Sequence, residues 1–91
     1  NKIGTYSLAV LASHHGIPFY VAMPMSTLDR GCPNGDRISV EQRPASELRQ
    51  LAGIAIAPNG VDVWNPGFDI TPAQLITAWV TEEGPWTPTR L

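Results

Sequence analysis

Charged residues are scarce in this sequence. They make up 15% of its 91 residues, where an ordinary soluble domain carries about 25%. A chain this short exposes a large share of its surface, so the deficit predicts that other protein covers much of it. Neither sign of charge is in excess. Six Lys and Arg face eight Asp and Glu, for a net charge of −2, and the signs are scattered, which excludes the basic stripe of a nucleic-acid binder. Cysteine occurs once, as Cys32. An internal disulfide is therefore ruled out, and a reducing, cytoplasmic setting fits best. No apolar run approaches the ~20 residues of a membrane helix. An initiator Met, a signal-like segment, internal repeats and low-complexity tracts are all missing. Length, low charge and the start at Asn1 together read as a piece of a larger protein.

What is present is apolar and well punctuated. Hydrophobic residues make up 43%, interrupted by nine prolines and eight glycines. Ile3, Tyr6, Ser7, Val10, Leu11 and His14 recur at helical spacing, so residues 2–15 are expected to form a helix. Leu8, Ala9 and Ala12 make its other face apolar as well, the pattern of a helix buried on both sides. Gly16 stands where a left-handed cap belongs, and Pro18 prevents continuation. Phe19 to Met23 is an unbroken apolar run of β-formers, expected as a strand buried on both faces of a parallel sheet. Helix, short link and buried strand form the second half of a βαβ unit.

Residues 24–37 are a polar loop leaving the carboxyl end of that strand, the edge where open α/β sheets bind ligands. Ile38–Glu41 and Val61–Trp64 alternate and are expected as short strands. Pro44–Leu51 is expected as a short helix with Leu48 and Leu51 inward, stopped by Gly53. Thr71, Pro72 and Gln74 spell a capping box. They predict a last helix with Leu75, Ile76, Trp79 and Val80 on its apolar face, followed by an extended tail over 85–88.

The candidate chemistry begins at residues 1–5. Asn1 is a suitable N-cap. Lys2 in a first turn opposes the helix dipole, and Gly4 costs helix stability. An anion docking at this terminus, such as a phosphate, accounts for both; an exposed lysine and an incidental glycine are the alternative. His14 and His15 are adjacent and lack the i, i+4 spacing of a helical metal pair. One is expected to pack and the other to cap the helix end, and no metal site is expected. Ser26, Thr27 and Asp29 follow the buried strand, as ligand contacts or as turn formers. Cys32 has no neighbouring base and reads as a non-catalytic thiol. Asp69 is placed near the cap of the last helix. Trp64, Trp79 and Trp86 are expected in packing roles.

Several stretches taken together resemble a known family. They are Asn1-Lys2-Ile3-Gly4-Thr5-Tyr6, His15-Gly16-Ile17-Pro18-Phe19-Tyr20-Val21-Ala22, Pro24-Met25-Ser26-Thr27-Leu28-Asp29, and Asn65-Pro66-Gly67-Phe68-Asp69-Ile70-Thr71-Pro72 with the following Leu75-Ile76-Thr77-Ala78 and Thr81-Glu82-Glu83-Gly84. In order and spacing they are similar to the C-terminal part of the methylthioribose-1-phosphate isomerases. Ribose-1,5-bisphosphate isomerases and the regulatory subunits of initiation factor 2B share much of the pattern. The Ser26-Thr27-x-Asp29 loop, the Asn34-Gly35-Asp36 turn and the Ile38-x-Val40-Glu41 segment favour the methylthioribose branch. Gly67 in place of the usual Ala, and Gln42 in place of an acidic residue, are departures.

The resemblance implies an α/β fold, with residues 1–91 forming the C-terminal portion of a Rossmann-like parallel-sheet domain, incomplete on its own. It implies an aldose–ketose isomerase of methionine salvage, working without metal or organic cofactor and paired as a homodimer. Substrate contact maps onto Asn1 and Lys2. The family's catalytic Cys and Asp lie upstream, so no catalytic residue is expected in this chain, and Cys32 does not inherit that role.

Overall fold

The computed structural model describes residues 1–87. Helix α1 spans Thr5–His14 and strand β1 spans Tyr20–Ala22. Between them the chain ends its helix as the sequence predicts. Gly16 takes φ 66°, its N–H donates to Ser13 O at 3.2 Å, and Ile17 N–H donates to Ala12 O at 2.8 Å. This is the Schellman pairing of a left-handed glycine cap.

Beyond β1 lie single 3₁₀ turns at Met25–Thr27 and Gly35–Arg37 and a one-turn helix, α2, at Ser46–Arg49. Strands β2 (Gln50–Leu51) and β3 (Ile54–Ala55) form a hairpin. Its two turn residues, Ala52 and Gly53, have φ 52° and 78°, the signs a type I′ turn needs. A 3₁₀ turn at Ala73–Leu75 precedes β4 (Ala78–Thr81), and β5 (Gly84–Trp86) returns beside it. The main sheet has the order β1-β4-β5. β1 and β4 are parallel, with Tyr20 opposite Ala78, and β5 is antiparallel to β4, with Trp79 opposite Trp86. Pro88 of the expected tail lies outside the described residues.

The segment between residues 69 and 77 sets the geometry. Asp69 bonds the first turn of α1. Thr77 bonds Phe19 at the start of β1, through its N–H to Phe19 O at 2.8 Å and through its Oγ1, which accepts from Phe19 N–H at 2.9 Å. The segment therefore runs along α1 from its amino end to its carboxyl end, and β4 then turns back beside β1.

Several elements differ from expectation. The expected last helix is a 3₁₀ turn followed by a strand. Ile76, Thr77, Val80 and Thr81 are β-branched and restrict χ1 more in a helix than in a strand. Alternate residues Ile76 and Ala78 are the buried ones, a period of two rather than 3.6. Ile38–Glu41 and Val61–Trp64 form no strand. Pairing there shrinks to one antiparallel bridge, Gln42 opposite Pro66, flanked by Arg43 N–H to Asn65 O at 2.6 Å and Gly67 N–H to Glu41 O at 2.7 Å. Pro44 follows at once and cannot donate to a longer ladder. α2 is shorter than expected, and Leu48 and Leu51 are exposed rather than inward.

The expected two-sided burial is not reached within this chain. Among the described residues only Ala9, Ile76 and Ala78 are buried apolar residues. On α1, Tyr6, Leu8, Val10 and Leu11 are exposed, and on β1 Tyr20 is exposed. The radius of gyration is 16.6 Å, against about 12 Å for a compact domain of this length. The accessible surface is 6945 Å², roughly 1,700 Å² more than the size scaling of compact monomers gives. Within this chain the 69–77 segment covers one side of α1 and leaves the others open.

Candidate functional site at the amino end of helix α1

Asn1 and Lys2 do not belong to the helix. α1 begins at Thr5, and Gly4 is its N-cap with φ 104° and ψ −19°. That left-handed backbone is what requires a glycine here. A Cβ at Gly4 would meet no other atom of the chain within 4 Å, so it is the backbone angle and not crowding within the chain that asks for glycine. Lys2 precedes the helix, and its carbonyl accepts from Thr5 N–H at 3.1 Å and Thr5 Oγ1 at 2.7 Å. Asn1 is not the cap that the sequence suggests.

The cap is Asp69. Its Oδ2 accepts from Gly4 N–H at 2.8 Å and from Tyr6 N–H at 3.0 Å. A carboxylate at a helix N-terminus satisfies orphan donors and meets the positive end of the dipole. Asp69 also pairs with Asn1 through the backbone. Its N–H donates to Asn1 O at 2.8 Å, and the Asn1 nitrogen donates to Asp69 O at 3.3 Å. The anion expected at this terminus is thus in part supplied by the chain itself. Asp69 belongs to α1 and not to a last helix, a long-range contact that local spacing cannot reveal.

Lys2 is left exposed, and among the described residues no carboxylate lies within ion-pair distance of it. Asn1 lines a groove of about 740 Å³ together with Asn34, Asp36, Ser39, Asp69 and Gln74. A second groove of about 720 Å³ is lined by Thr27, Asp29, Arg30, Cys32, Arg37 and Trp79, among others. Pro33, Asn34, Ile38, Ser39 and Ala73 line both, so the two hollows share one wall. The 33–39 stretch in that wall is pinned at Gly35, where an added Cβ would collide with Ile70 Cγ2.

The loop after β1 is held by a residue the sequence did not single out. Both carboxylate oxygens of Glu82, in the β4–β5 turn, accept from Met25 N–H, at 2.9 and 3.1 Å. This fixes the turn that carries Ser26 and Thr27. Asp29 serves a turn: its Oδ1 accepts from Gly31 N–H at 2.9 Å. Cys32 Sγ donates to Asn34 O at 3.2 Å, and the Arg30 guanidinium sits 5.1 Å from the centre of a Trp86 ring. His14 and His15 stack edge to face at 4.9 Å, both exposed; neither is packed inside, and it is the His15 backbone that closes the helix, donating to Leu11 O at 3.1 Å. Among the described residues no group of three or more His, Cys, Asp or Glu could hold a metal ion. Trp64 is exposed.

A parallel strand pair extended by an antiparallel strand, with helix α1 leading into β1 and two hollows beside polar loops, defines a mixed α/β fold. Its lineage follows from comparison. The sequence profile of the initiation factor 2 subunit family matches residues 1–88, and the chain belongs to that family.

The chain is 61% identical over 84 residues to a methylthioribose-1-phosphate isomerase of Pelotomaculum thermopropionicum, covering 92% of this chain and 23% of that protein. It is 57% identical over 95 residues to the enzyme of that name from Klebsiella pneumoniae, covering 100% of this chain and 28% of the other. Among solved structures it resembles 5-methylthioribose 1-phosphate isomerase from Pyrococcus horikoshii OT3, with TM-score 0.87 and 45% identity over 97% of this chain and 24% of that one. It also resembles subunit delta of translation initiation factor eIF-2B from A. fulgidus, with TM-score 0.87 and 46% identity over 97% of this chain and 26% of that one. The chain spans about a quarter of the length of the curated relatives it matches.

Proposed function

We propose that this chain is the substrate-binding C-terminal part of an aldose–ketose isomerase that converts 5-methylthioribose 1-phosphate to 5-methylthioribulose 1-phosphate. The observation that carries the reading is identity near 60%, across nearly the whole chain, to proteins named methylthioribose-1-phosphate isomerase. The geometry agrees in kind. A hollow lined by Asn1 with amide, hydroxyl and carboxylate groups suits a phosphorylated polyol, and Lys2 follows Asn1 in the chain.

In this reading residues 1–91 are part of a Rossmann-like domain within a longer polypeptide. The exposed apolar faces of α1 and β1 pack against its other segments. Lys2 holds the C1 phosphate by charge, and Asn1 orients a hydroxyl or phosphate oxygen. The proton or hydride transfer between C1 and C2 belongs to a Cys and an Asp outside this chain. Keeping water from the intermediate protects that transfer. No metal or organic cofactor takes part. The working enzyme is a homodimer in the reducing cytoplasm, a setting that suits a single Cys32.

The likeness to an initiation-factor subunit, equal in TM-score, supports a second reading as a non-catalytic binding subunit. One experiment separates them. The full-length polypeptide is incubated with 5-methylthioribose 1-phosphate, and carbon NMR follows loss of the anomeric signal and growth of a ketone. Turnover of this substrate, with none of ribose 1,5-bisphosphate, is expected. Saturable guanine-nucleotide binding with no turnover would establish the second reading instead.

A further inference from the structure

We infer that Asp69 is a positioning residue that sets Lys2 for phosphate binding; this rests on the isomerase reading above. The observations are geometric. Asp69 grips the chain on both sides of Lys2. On one side its backbone N–H donates to Asn1 O at 2.8 Å. On the other its Oδ2 accepts from Gly4 N–H at 2.8 Å and Tyr6 N–H at 3.0 Å. Residues 1–4 precede the helix ladder, so these three bonds and the Thr5 contacts to Lys2 O decide where the Lys2 backbone sits.

The same carboxylate fills the helix N-terminus. With Gly4 and Tyr6 N–H already donating to Oδ2, the first turn has fewer free donors for a substrate phosphate. The phosphate is left to the Lys2 ammonium as a point charge, and its position depends on the 1–4 segment being held. Asp69 is anionic itself and repels a nearby phosphate, so its benefit is placement rather than attraction. Charge and placement therefore predict opposite signs for two substitutions. Asp69→Asn keeps an oxygen acceptor of the same reach, as Asn is as good a cap as Asp, and removes the repulsion. Asp69→Ala removes the acceptor.

The test uses the full-length polypeptide and steady-state kinetics with 5-methylthioribose 1-phosphate. Asp69→Ala is expected to raise KM about tenfold or more with kcat changed less than threefold, the pattern of lost ground-state binding. Asp69→Asn is expected to leave KM equal to or below the parent value. Glu is one methylene longer and displaces the 1–4 segment while keeping the charge, so Asp69→Glu is expected to raise KM roughly three- to tenfold; it serves if the alanine variant does not fold. In a Lys2→Ala background, adding the Asp69 substitution should change KM less than twofold, because the residue acts through Lys2. Unchanged KM in both Asp69→Ala and Asp69→Glu, or a full additive loss in the Lys2→Ala background, overturns the inference and leaves the isomerase reading standing. A parent protein without turnover overturns that reading and the inference with it.

Discussion

Gly35→Ala is the sharpest structural perturbation available in this chain. A Cβ at residue 35 would fall on Ile70 Cγ2, with Ile70 Cβ at 3.8 Å. Favourable carbon–carbon contact begins near 3.5 Å, so one partner must move. Ile70 cannot swing aside cheaply, because Cγ2 is attached directly to a β-branched Cβ with restricted χ1. The backbone of the 3₁₀ turn must shift instead. That turn is held by Asn34 Oδ1 accepting from Asp36 N–H at 3.0 Å and by Ile38 N–H donating to Gly35 O at 3.1 Å. Overpacking of this kind costs about 1–3 kcal/mol, or roughly 5- to 150-fold in the equilibrium constant. Urea denaturation of the full-length polypeptide should show that loss as a lower midpoint at unchanged slope. A double-mutant cycle locates the cause. Ile70→Ala deletes the colliding methyl, so the double variant should be more stable than the two single losses predict, by about 1 kcal/mol or more. Strict additivity, or a Gly35→Ala variant as stable as its parent, would refute the contact and with it the pinning of the wall shared by the two grooves.

Two further outcomes follow from single contacts. Glu82→Ala removes the acceptor of Met25 N–H, and amide hydrogen exchange at Met25 should quicken roughly 5- to 10-fold, since such a bond is worth about 1–1.5 kcal/mol; an unchanged rate would mean that Glu82 does not hold the Ser26–Thr27 turn. Ala52 takes φ 52° in the β2–β3 turn, a conformation costing an L-residue about 1–2 kcal/mol; Ala52→Gly should therefore raise the unfolding free energy by about 0.5–1 kcal/mol, read as a higher urea midpoint at unchanged slope, and a lower midpoint would contradict the type I′ assignment.

Local signals in the sequence were read correctly where one neighbourhood suffices. The α1 periodicity, the Gly16 stop and the β-formers of β1 each act within a few residues, and each appears in place. The capping box at Thr71 misled because it is also local. Pro72 and Gln74 can open a helix, but Ile76 and Ala78 find their burial in a strand, and tertiary packing outweighs propensity. Half of the candidate site was legible. Asn1 and Lys2 stand out as a polar, cationic pair before an apolar helix. Asp69 and Glu82 do not, because their partners are 65 and 57 residues away and no spacing rule spans such distances.

The sequence by itself determined which stretches could become helix, strand and turn, and excluded disulfides and nucleic-acid stripes, because those depend on residue type and near neighbours. It also carried the family pattern from Asn1 to Gly84. Only the tertiary structure decided that the anion at the head of α1 is Asp69, that the segment after it passes through a 3₁₀ turn and bonds Phe19 through Thr77 before entering β4, and that Glu82 anchors the loop after β1. Each of those depends on backbone donors left over at the end of a helix or turn. Such donors are satisfied by whichever acceptor the fold brings near, and that choice is made in space rather than along the chain.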